Sequence, residues 1–124
     1  MQISVMKEND LKQRTKRFAL QIVAFCESLP KDEASRILSR QLLRSGTSVG
    51  ANYPAVCRAK STADFISKFA TVLEEADESA YWIELLIDAG KTERRSPAAL
   101  LQEANELVAI SVSSINTARR GKQS

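Results

Sequence analysis

From Asn9 onward, apolar positions recur in alternating steps of four and three, the spacing that keeps side chains on one face of an α-helix. In the first such segment Leu11, Thr15, Phe18, Ile22, Phe25 and Leu29 share a face, with Asn9 or Asp10 as cap and Pro30 as stop. A second segment opens after Asp32, a good N-cap, and runs through Ala34, Leu38 and Leu42 toward Val56. The third starts near Ser61 or Thr62; its stripe of Phe65, Phe69, Leu73, Ala76, Ala80, Ile83 and Ile87 is nearly a heptad seam, closed by Gly90. The fourth opens at Ser96-Pro97, with proline at the first helical position, and carries Leu101, Ala104, Val108, Ser111 and Ile115. The pattern predicts helices over residues 10–29, 33–58, 62–89 and 97–118, followed by a basic, unstructured tail over 119–124. No segment alternates as a strand, and no repeat is visible.

Four amphipathic helices with short connections have one economical arrangement, an all-α, antiparallel up-down-up-down four-helix bundle. Residues 1–118 are read as a single domain of this kind. Two stretches depart from a simple bundle. In the second helix the core-facing positions Gln41, Ser45, Ser48 and Asn52 are polar, Gly46 and Gly50 interrupt the same stretch, and Pro54 follows. The small residues suit close approach of another helix. Proline inside a helix costs about 3 kcal/mol, so a kink or break is expected between Gly50 and Pro54. The polar side chains either face water or pair with Glu74, Glu75 and Glu78 of the third helix; the pairing is the expectation carried forward. In the third helix Tyr81, Trp82, Leu85 and Leu86 lie beside the seam, making it apolar on more than one face. This surplus is either a broad contact with the fourth helix or a subunit interface. The aromatic pair favours the interface.

Composition and charge narrow the function. The chain has 124 residues, 44% apolar and 27% charged, with four Gly and three Pro, an ordinary globular balance for one domain. No apolar run is long enough to cross a bilayer, and the first ten residues lack an apolar h-region. Cys26 and Cys57 stand far apart, as reduced thiols do in a cytoplasmic protein, the expected location. The charge is unevenly spread. Residues 1–68 hold twelve Lys/Arg against six Asp/Glu, residues 69–90 none against six, and residues 91–124 six against three. Arg36, Arg40 and Arg44 form a stripe at four-residue steps, as do Lys12 and Lys16 beside Arg17. Arg94 and Arg95 crowd the loop after the third helix, and Arg119 and Arg120 lead the tail. Such stripes can follow a phosphate backbone; they also suit acidic partners or simple solubility.

The absence of histidine removes Ser-His-Asp and Cys-His catalysis and imidazole metal sites. Gly46-Thr47-Ser48-Val49-Gly50 matches G-x-S-x-G but lies in a helical stretch without the strand or histidine that a nucleophile elbow requires. No phosphate-binding glycine loop occurs. No catalytic residue, metal or cofactor is therefore expected, and the chain is read as a non-enzymatic binding scaffold or, alternatively, as a structural or protein–protein interaction module.

The central stretch resembles a known family. Arg44-Ser45-Gly46-Thr47-Ser48-Val49-Gly50-Ala51-Asn52 is similar to the second-helix signature of the four-helix bundle proteins encoded in 23S rRNA intervening sequences. The likeness continues in Ala59-Lys60-Ser61, Asp64-Phe65-Ile66, Lys68, Glu75-Ala76, Glu78-Ser79 and Tyr81-Trp82-Ile83-Glu84-Leu85-Leu86. Ala55-Val56 stands where many members carry Glu-Ala, and Pro54 replaces a basic residue found in others. The resemblance implies a protomer that assembles into a closed ring, commonly a homopentamer. More distantly, the chain looks like the accessory protein of diversity-generating retroelements. That likeness implies a basic surface engaging RNA or DNA and, as a further partner, a nucleic-acid-processing protein.

Overall fold

The computed structural model describes residues 5–123. Four helices follow one another: α1 (Val5–Ser28), α2 (Glu33–Cys57), α3 (Thr62–Asp88) and α4 (Ala98–Gln123). No strand occurs among the described residues. Each connection turns the chain back on itself, so α2 packs on α1, α3 on α2 and α4 on α3, while α1 meets α4 sparsely. The result is the expected antiparallel four-helix bundle. No helix among the described residues is long and apolar enough to cross a membrane.

The helix ends follow local chemistry. Asp32 caps α2, accepting the Ser35 backbone N–H at 3.0 Å and its hydroxyl at 2.8 Å. Ser61 caps α3 by accepting from Asp64 N–H at 3.0 Å. Gly90 ends α3 with a φ of 73°, as Gly90 N–H reaches the Ile87 carbonyl and Lys91 N–H the Leu86 carbonyl. That pair of bonds needs a left-handed residue, which glycine supplies without strain.

Lys91 also ties the α3–α4 connection to Asp32 at 3.2 Å. The Ser35 bonds first, and Lys91 second, hold the Asp32 carboxyl down at about 2. A carboxyl depressed on folding stabilises the native state above its unfolded value and loses that contribution as pH falls toward the folded value. The stability difference between wild type and Asp32→Ala is therefore expected to shrink as the pH falls from about 4 to about 2. Thermal melts across this range check it; a constant difference would mean that the cap does not act through its charge.

The core runs the length of the bundle, with Phe18, Ile22, Leu42, Val49, Tyr53, Phe69, Ile83 and Leu86 fully enclosed. In α4 the buried line is Leu100, Ala104, Leu107, Ser111, Ile115 and Ala118. The expected Leu101 and Val108 are half-buried at its edge, one position off the buried line. The break expected before Pro54 and the unstructured tail are corrected. Pro54 does not break α2, which continues to Cys57. Proline removes one N–H near the end of the helix, and the buried side chains of Tyr53 and Val56 anchor the final turn in the core. The chain from residue 119 is helical to Gln123 instead of unstructured. Ala118 is buried just before it, and Gly121 costs a helix only about 1 kcal/mol.

Gly46 and Gly50 mark where α1 comes closest to α2. A Cβ on Gly50 would stand 3.2 Å from the Thr15 carbonyl oxygen, and one on Gly46 2.7 Å from Ile22 Cγ1. The close approach anticipated from small residues is made by α1.

Candidate nucleic-acid interface and polar seam

The seam between α2 and α3 is polar but wired differently from the expectation. Ser45 is fully buried and meets Ser79 of α3, the two hydroxyl oxygens 3.0 Å apart. Ser48 and Asn52 instead donate to their own helix, at the Arg44 and Ser48 carbonyls. Gln41 and Glu74 face solvent. None of Ser45, Ser48 and Asn52 donates to a carboxylate among the described bonds. Short side chains on a helix satisfy themselves on the preceding turn more readily than across a helix gap.

The residue that does cross the gap is Arg44. Its guanidinium reaches Glu78 at 2.6 Å and Glu75 at 3.4 Å, and Trp82 Nε1 donates to the same Glu78 oxygen at 3.2 Å. The Glu78 bond, with both carboxylates nearby, raises the Arg44 pKa further. Arg44 is thus half of an α2–α3 clamp, and its charge is largely answered within the bundle. Sequence reasoning missed a second clamp. Arg14 of α1 spans the groove to α4, reaching Glu103 at 2.7 Å and Glu106 at 2.8 Å. The Glu103 bond is foremost in pushing the guanidinium up from its ordinary value. Glu103 and Glu106 share a helix face, but nothing in their spacing says which helix will supply the cation.

The remaining candidate cations fall into separate groups. Lys12, Lys16, Arg17, Arg36, Arg40, Arg95 and Arg119 are exposed and form no ion pair among the described residues. Arg120 is exposed and donates to Thr117 at 3.3 Å; Arg94 lies 3.4 Å from Asp88. The antiparallel turn pulls the two stripes apart. Thr15 lies beside Gly50, so Arg40 sits ten residues, about 15 Å, nearer the start of α2 than the level of Lys16. Arg94 and Arg95 occupy the end of the bundle that holds the α1–α2 turn, and Arg119 and Arg120 the opposite end.

The four expected interface residues also divide. Leu86 is fully buried in its own bundle, and Leu85 and Trp82 are half-buried. Tyr81 is 56% exposed and packs edge-on against Trp82 with ring centroids 5.0 Å apart. Around it on the outer face of α3 stand Glu74, Asp77 and Glu84, exposed and outside any ion pair among the described residues. Cys26 is a buried free thiol and Cys57 a half-buried one.

The described residues form an all-α four-helix bundle with ionic clamps between helices. Residues 7–113 match the 23S rRNA-intervening sequence proteins, and the chain belongs to that family. A crystal structure of a protein with unknown function from the S23 ribosomal protein family of Bacteroides thetaiotaomicron VPI-5482 superposes with a TM-score of 0.79 at 36% identity. The match covers 88% of this chain and 97% of that one. Comparison with curated protein sequences gives no match.

Proposed function

We propose that this chain is a non-enzymatic scaffold that self-associates, as the pentamer that the family resemblance implies, and holds RNA or DNA through its basic faces. One observation carries the reading: most of the candidate cations remain exposed and outside the ion pairs that the bundle uses for itself. Cations that neutralise phosphates release counterions, so binding weakens as salt rises, with a slope of about 0.9 per contact on duplex DNA. Lys12, Lys16, Arg17, Arg36 and Arg40 are the side-wall contacts of this reading. Arg44 contributes less than its place in the stripe suggests, because Glu75 and Glu78 already answer it. Self-association rests on Tyr81 and its acidic surround, which complements a basic face on a second copy and suits a head-to-tail ring. Repetition around a ring would add weak contacts through avidity.

Light scattering and fluorescence anisotropy on the purified protein test both parts. The expected result is a mass several times that of one chain, with binding of mixed-sequence nucleic acid that falls steeply with salt. Arg36→Glu with Arg40→Glu is expected to weaken binding at unchanged helix content, and to lower the salt slope by about 2. A monomer that binds nothing at low salt would sink the reading. An oligomer without nucleic-acid affinity would favour the second one, a protein-interaction module, for which the exposed Tyr81 among Glu74, Asp77 and Glu84 is the supporting observation.

A further inference from the structure

The end of the bundle where α2 turns into α3 is also where α4 terminates. Arg58 and Lys60 lie in that turn, and Arg119 and Arg120 in the last turns of α4. All four are exposed, and none is ion-paired among the described residues. Their surroundings are one-sided. No Asp or Glu occurs between Glu33 and Asp64, nor anywhere after Glu106. Asp64, the carboxylate nearest this turn, is already engaged by Lys68 at 2.6 Å and by the Lys60 backbone N–H at 3.0 Å. The N-terminal half of α1 reaches the same end, with Lys12, Lys16 and Asp10 exposed. Cations at the C-terminal ends of α2 and α4 also offset the helix dipoles, but Lys60 lies past the end of α2, beyond the reach of that explanation.

The aromatic side chains say what kind of polymer this end suits. Of seven aromatics, Phe18, Phe25, Tyr53, Phe65 and Phe69 are buried. The other two, Tyr81 and Trp82, stand about 30 Å along α3 from its start. No exposed ring is available at the basic end for a base to stack on, and sequence-tolerant single-strand binding depends on such stacking. Phosphates of a double helix need only cations and neutral donors, and Ser61, Asn116 and Thr117 are exposed beside the four basic residues.

We infer that this end of the bundle is a docking surface for the phosphate backbone of double-stranded nucleic acid, held by Arg58, Lys60, Arg119 and Arg120. The inference rests on the nucleic-acid reading above and adds to its side-wall contacts an end-face site and a substrate class. The test is anisotropy of the full chain with a mixed-sequence duplex and with its separated strands, over a salt series. The duplex is expected to bind more tightly than either strand. R58Q/K60Q/R119Q/R120Q, folded by circular dichroism, is expected to lose at least about tenfold in duplex affinity and to lower the salt slope by about 3–4. A matched pair of single changes supplies the control: Lys60→Gln lowers the slope by about 1, and Lys31→Gln, in the turn at the opposite end, leaves it unchanged. Should the fourfold variant not fold, R58Q/K60Q and R119Q/R120Q are each expected to lower the slope by about 2. Wild-type affinity in the folded variants, with or without a lower melting temperature, overturns this placement but leaves the scaffold reading standing. Equal or tighter binding of single strands overturns the duplex assignment. A wild-type chain that binds neither probe overturns both.

Discussion

Phe69→Ala should destabilise the bundle by about 3–5 kcal/mol, the range for truncating a fully buried aromatic. Phe69 is 1% exposed and lies in the N-terminal third of α3. Its ring meets Tyr53 of α2 edge-on with centroids 6.0 Å apart, and Phe65 with centroids 5.4 Å apart. Edge-to-face pairs add about 0.5–1.5 kcal/mol beyond the area they bury, so truncation removes both the side chain's burial and two ring contacts. For a chain of this size the melting temperature should fall by roughly 10–20 °C. Phe69→Leu keeps most of the volume and should cost about half as much or less. Urea melts of the two variants check the order. Equal losses would mean that the ring contacts, lost in both variants, set the cost and that the volume leucine retains contributes nothing.

Gly46→Ala should also destabilise, although alanine is the better helix former by about 1 kcal/mol. The added methyl would fall 2.7 Å from Ile22 Cγ1 and 2.9 Å from its Cγ2. Ile22 is fully buried, so any shift of its stiff β-branched side chain must displace core neighbours. Overpacking of this kind costs about 1–3 kcal/mol, enough to exceed the propensity gain. The diagnostic measurement is a double-mutant cycle. Ile22→Ala alone removes core volume and should cost about 2–5 kcal/mol. Combined with Gly46→Ala it should cost less than the two changes added, because the truncation opens the space that the new methyl needs. A coupling of about 1–2 kcal/mol in that direction is the expected outcome. Strict additivity, or a Gly46→Ala protein as stable as wild type, would show that α1 does not hold Ile22 against α2 as drawn.

These two sites show what could be read in advance. The helices were legible because their signals are local: Asp32 and Ser61 as caps, Gly90 as a left-handed stop, and a buried stripe on α3 that includes Phe65, Phe69, Ala76, Ala80, Ile83 and Ile87. The four-helix, all-α outcome needed nothing else, since one amphipathic face per helix and two four-residue turns leave few ways to pack. Gly46 and Gly50 were legible as a close approach.

What the sequence left open depended on which helix lies opposite which. The glycines face α1, a fact their spacing does not contain. Arg36, Arg40 and Arg44 look equivalent along the chain, yet Glu75 and Glu78 of α3 answer one of them and leave two free. Arg14 reads as one more surface cation until α4 brings Glu103 and Glu106 against it. Arg58, Lys60, Arg119 and Arg120 belong to distant segments, and the antiparallel course of α3 and α4 gathers them at one end. Pro54 shows the same division from the side of stability: its local cost of about 3 kcal/mol argues for a break, and the core contacts of Tyr53 and Val56 outweigh it. Helix formation is decided within a few residues along the chain. Charge pairing, close approach and the shape of a binding face are decided between segments, where neighbours are set by packing and not by spacing.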